Sequence, residues 1–87
     1  MFVSIVASEG FIMSCFGPYE TREDAIDRLA SWINTKSDML EIPEDYSHMS
    51  EDKVKFAKEF FDTEPCVLFK KTNEDVYYDL YVQKLEQ

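Results

Sequence analysis

The runs FVSIVAS (2–8) and FIMSCF (11–16) are separated only by Glu9 and Gly10. Both are rich in the β-branched and aromatic residues that suit a pleated, half-buried strand. A two-residue link sends the chain straight back along itself, and Gly10 accepts the positive φ that such a turn demands. An antiparallel hairpin over 2–16 therefore rules out an all-helical fold from the start. Pro18, in GPY (17–19), is expected to end the second strand because proline donates no ladder hydrogen bond.

The middle of the chain has a different period. ETREDAIDRLASWINTK (20–36) reads as a helix with Thr21 as its N-cap and with Glu23 and Asp24 in the first turn, where the helix dipole favours negative charge. Ile26, Leu29, Ala30 and Ile33 recur at helical spacing as one apolar stripe, and Trp32 stands at its edge. SEDKVKFAKEFFD (50–62) repeats the pattern: Ser50 is the expected cap, Glu51 and Asp52 follow it, and Phe56, Ala57, Phe60 and Phe61 form the buried stripe. CVLFKK (66–71), the turn TNED (72–75) and VYYDLYVQKL (76–85) make a second hairpin. In its last strand Val76, Tyr78, Leu80 and Val82 share one face, and Tyr77, Asp79, Tyr81 and Gln83 share the other.

The order ββααββ predicts an α+β fold: a two-layer sandwich in which an antiparallel four-stranded sheet carries both helices packed on one face. Residues 1–87 leave room for a single domain with a thin core. The other sheet face is expected to stay open to water or to a partner. Tyr77 and Tyr81, flanking Asp79, are best placed to line it, and Ser4 and Ser14 are compatible with it.

The net charge is −9, the wrong sign for holding a phosphate backbone, so direct nucleic-acid binding is not expected. The charge is also uneven. Residues 1–52 carry 11 acids and 3 bases, whereas residues 53–87 carry 7 and 6. The extreme is DMLEIPEDYSHMSED (38–52), with six carboxylates and no Lys or Arg. Met39, Leu40, Ile42 and Tyr46 are interleaved with those acids, which argues for a segment pinned to the body rather than a free acidic linker.

No catalytic set is legible. With two glycines there is no phosphate-cradling loop, and neither a nucleophile elbow nor a metalloprotease helix occurs. The lone His48 is expected to be an exposed loop residue, and its spacing from Glu44 and Asp45 matches no metal signature. No enzyme activity, cofactor or metal is expected. Cys15 and Cys66 lie in apolar strand runs and are expected to be buried, reduced and inert. No basic-flanked apolar leader and no stretch of membrane-spanning length is visible, so the expected location is cytoplasmic, with no membrane partner.

What remains is binding to protein. The expected function is that of a small acidic inhibitor or modulator of a protein with a basic surface. Its carboxylates would stand in for nucleic-acid phosphates and occupy the basic surface of a nucleic-acid-handling enzyme. The candidate contact residues are Asp38, Glu41, Glu44, Asp45, Tyr46, Glu51 and Asp52. The alternative is a structural or assembly subunit, compatible with a homo-oligomer, that binds through the sheet face bearing Tyr77, Asp79 and Tyr81.

Overall fold

A computed structural model of the chain describes residues 1–46 and 51–86. The fold is α+β. β1 (Phe2–Ser8) and β2 (Phe11–Tyr19) form the first hairpin, α1 (Arg22–Thr35) and the two-residue β3 (Leu40–Glu41) follow, and then come α2 (Lys53–Phe61), β4 (Cys66–Lys71) and β5 (Tyr77–Lys84). The antiparallel sheet has five strands among the described residues, not four, in the order β2-β1-β5-β4-β3. The extra strand comes from the acidic segment itself. Leu40 is only 1% exposed and draws the chain against β4, where Glu41 stands opposite Lys70 as a cross-strand pair of opposite charge.

The two hairpins meet through β1 and β5, which pair along their whole length from Phe2↔Lys84 to Ser8↔Tyr78. This places the chain's first and last strands at the centre of the sheet. Both helices cover the face that carries Val6, Val67, Phe69, Tyr78 and Leu80. Leu29, Trp32 and Ile33 of α1 and Phe56, Ala57 and Phe61 of α2 complete that core. Trp32 is buried there, edge-on to Tyr78 with ring centroids 5.8 Å apart. Ile26 and Val54 are partly buried at the margin.

The Thr21 hydroxyl caps α1 by accepting from the Asp24 amide at 3.1 Å, as its position in the sequence predicts. The cap of α2 is one of the corrections. Asp52 is the N-cap, and its carboxylate accepts from the Lys55 amide at 3.1 Å, so the helix starts later than Ser50 would set it. Ser50 and His48 lie outside the described residues.

Pro18 does not end the second strand. β2 runs through it to Tyr19, with a cis bond between Gly17 and Pro18. As the sheet's edge strand, β2 can lack an outward donor without breaking a ladder. The register slips between Phe2 and Ser4, which takes up the Gly17–Pro18 step. Gly17 has φ +120° there, and a Cβ on it would come within 3.1 Å of the Phe2 carbonyl oxygen. A second slip, between Val6 and Ala7, leaves Met13 without a directly opposed residue.

The two serines assigned to the open face also need correction. Ser4 lies opposite Phe16 and Val82 on the helix-covered side, is fully buried, and donates its hydroxyl to the Ala25 carbonyl at 2.6 Å. Ser14 pairs with Val6 and so shares that side. Among the described residues, no helix is long and apolar enough to cross a membrane.

Candidate partner-binding surface

The acidic segment is built into the fold. Asp38 sits exposed on a 3-10 turn over Ser37–Met39, which is held to the β4–β5 hairpin. The Thr72 amide donates to the Met39 carbonyl at 2.8 Å and the Thr72 hydroxyl to the Asp38 carbonyl at 3.3 Å. Leu40 is buried, and Ile42 packs against the core. Pro43 has no amide to offer, so pairing with β4 stops there, and a second 3-10 turn carries Glu44, Asp45 and Tyr46.

Tyr46 then folds back onto α2. A chain of rings runs outward from the sheet. Phe69 meets Phe56 at 5.7 Å, Phe56 meets Phe60 at 5.4 Å, and Phe60 meets Tyr46 at 5.2 Å. Tyr46 is 36% exposed, so its ring is shared between this stack and the surface.

The start of α2 joins the same region, because the Lys53 ammonium donates to the Ser37 carbonyl at 2.6 Å. The candidate residues are thus spread along α2 and not gathered at one point: Asp38, Glu51 and Asp52 lie by its N-terminal end, whereas Tyr46 packs on Phe60 near its C-terminal end. All of them, with Glu41, Glu44 and Asp45, are exposed. The acids that open α1 lie a full helix, about 21 Å for its 14 residues, from the Asp38 turn. At that opening end α1 faces the C-terminus of α2, where Arg22 donates to the Phe61 carbonyl at 2.8 Å and Asp27 meets Lys58 at 3.3 Å.

Beside Tyr46 is a groove of about 410 Å³ lined by Tyr46, Phe56 and Phe60, by Thr63, Glu64 and Pro65 of the α2–β4 connection, and by Cys66 and Leu68 of β4. Sequence reasoning missed it. Its signal was present in EIPEDY (41–46), where a proline cuts a strand short and an aromatic follows three residues later.

The second candidate surface is the open sheet face. Cross-strand register sets two rows there: Ile12, Ala7, Asp79 and Leu68, then Cys15, Ile5, Tyr81 and Cys66. Tyr77 is exposed, whereas Asp79 and Tyr81 are half-buried among their neighbours. Cys15 is exposed, contrary to expectation, because β2 is an edge strand and, among the described residues, both helices lie on the opposite face. Cys66 is half-buried, and burial pushes its thiol pKa up, with the carboxylates of Asp79 and Glu64 adding to the shift. Among the described residues, no three His, Cys, Asp or Glu side chains come together as a metal site. No known protein family, curated protein or solved structure matches this chain.

Proposed function

We propose that this chain is a small inhibitor or modulator that docks a basic protein surface through the carboxylates of its acidic segment 38–52. One observation carries the reading: the acidic segment is anchored by Leu40, Ile42 and Tyr46, so Asp38, Glu41, Glu44 and Asp45 project from a fixed backbone. Docking then orders little of this chain, and less of the interaction energy is lost to conformational entropy. In the finer form of the proposal, the carboxylates replace phosphates on the Lys and Arg of a nucleic-acid-handling enzyme and act by occlusion, without turnover.

The test is competition. Unlabelled protein is titrated against a fluorescent duplex DNA bound to each of a panel of basic DNA-processing enzymes, at several salt concentrations. DNA release by the wild type, weakened by salt and lost in D38N/E41Q/E44Q/D45N, is the expected result. Equal release by the wild type and the four-site variant would exclude electrostatic docking by this segment.

A second reading is favoured by a separate observation. The edge strand β2 has no charged residue along its nine positions and exposes Phe11, Ile12 and Met13 by 76%, 63% and 55%. An edge without charge invites pairing with another strand, which is the assembly role. Sedimentation of the wild type and Ile12→Lys over a concentration series separates the readings. A dimer abolished by the lysine supports assembly, and a monomer throughout removes it.

A further inference from the structure

β3 pairs with only two residues of β4, Lys70 and Lys71. Main-chain direction along β4 follows from two bonds. The Lys71 amide donates to the Val76 carbonyl, toward β5, and the Thr72 amide donates to the Met39 carbonyl, toward β3. Successive residues of an antiparallel strand point their N–H and C=O groups to alternate sides. Lys70, Leu68 and Cys66 therefore face the β3 side. Among the described residues, no strand pairs with that side of Leu68 or Cys66. The edge is vacated by Pro43, and the chain that leaves it returns as Tyr46 to form the far wall of the groove.

We infer that this stretch of β4 receives an extended segment of the partner as an added strand, with apolar side chains alternating with Lys or Arg. This rests on the reading that the acidic segment is the docking surface. Strand addition supplies main-chain hydrogen bonds, and the two-residue period sends alternate side chains to opposite faces. One set enters the groove against Phe56, Phe60 and Tyr46. The other set lies over Leu68, on the face that carries Asp79. The basic character follows from charge complementarity: Glu64 lines the groove, and Glu44 and Asp45 share the 3-10 turn of Tyr46 in its wall. Burial is the main cause of the raised pKa of the Cys66 thiol, and the nearby Asp79 and Glu64 carboxylates add to it. Lys70, opposite Glu41, lies beyond the vacated stretch.

The probe is the capped peptide Lys-Val-Lys-Phe-Lys-Val-Lys, read by amide resonance shifts of the full chain. Two controls are a scrambled peptide of the same composition and a version N-methylated at the two residues whose amides face β4. The expected result is that the largest shifts fall on the Leu68 and Cys66 amides. N-methylation should weaken binding about tenfold, the effect of losing one or two hydrogen bonds. The Phe60→Ala and Glu64→Gln variants should each weaken it as well. Equal binding of all three peptides, without shifts at Leu68 and Cys66, would overturn strand addition and leave acidic docking standing. No binding by any of the peptides would overturn both. Protection of the Leu68 amide by self-association alone would assign the edge to a second copy and overturn the proposed partner.

Discussion

The Tyr46 ring stands edge-on to Phe60, with centroids 5.2 Å apart and planes at 80°. This contact ties the exposed end of the acidic segment to a ring stack that reaches the buried Phe69. Edge-to-face pairs contribute about 0.5–1.5 kcal/mol beyond area burial. Tyr46→Ala should therefore cost about 1 kcal/mol in urea unfolding and speed exchange of the residue-46 amide, which donates to the Pro43 carbonyl at 2.9 Å, whereas Tyr46→Phe should leave exchange unchanged. Unaltered exchange in Tyr46→Ala would show that Leu40 and Ile42 hold the segment without the ring.

The core makes a stronger demand. Leu29 and Leu40 are both essentially inaccessible, one at the centre of α1 and the other in β3. Truncation of a fully buried leucine to alanine costs about 2–5 kcal/mol, a large share of a small domain's stability. Both Leu29→Ala and Leu40→Ala should show lowered denaturation midpoints. A near-zero shift for Leu40→Ala would mean that β3 does not anchor the acidic segment.

Legibility in the sequence followed the period of the pattern. In the last strand, alternation placed Tyr78 and Leu80 inward and Tyr77 outward, and all three are found so. The α1 stripe was readable because helical spacing and a Thr cap agreed. Ser4 was misplaced because a hydroxyl is polar by type, and only the helix above it reveals the Ala25 carbonyl that satisfies it. Cys15 was misplaced for the converse reason: an apolar neighbourhood in sequence says nothing of whether a strand ends up at a sheet edge. β3 was invisible because two residues carry no period, and its place is set by the burial of Leu40 and by the partner strand β4. The groove was invisible for the same reason, being the space that a strand of that length leaves.

The six carboxylates of the segment should divide by what they do for the fold. Asp52 accepts from the Lys55 amide as the N-cap of α2, so Asp52→Ala should cost about 1 kcal/mol, and Asp52→Asn, which keeps an acceptor, should cost less. Asp38→Asn and Asp45→Asn should change stability by less than about 0.5 kcal/mol, as expected for exposed surface positions. Thermal melts of the four variants check this. A loss at Asp38 equal to that at Asp52→Ala would give Asp38 a structural role that its exposure does not suggest.

The two thiols should part company under alkaline titration. Cys15 is exposed, so it should react with an aromatic disulfide reagent well before the half-buried Cys66 in the native protein. The Cys66 pKa is raised first by burial, then by Asp79 and Glu64. Its labelling rate should therefore climb only at a pH above the ordinary thiol value of about 8.5. The stability consequence has a definite sign. The unfolded chain releases the Cys66 proton at a lower pH than the folded chain does. Stability linked to this group is fully present below the unfolded pKa and is lost as pH rises through the folded one. The difference in unfolding free energy between wild type and Cys66→Ala should thus be flat near neutrality and shrink on the alkaline side, which removes the contribution of the other titrating groups. A difference that grows with pH would place the Cys66 thiolate beside a positive charge, against the carboxylates found around it.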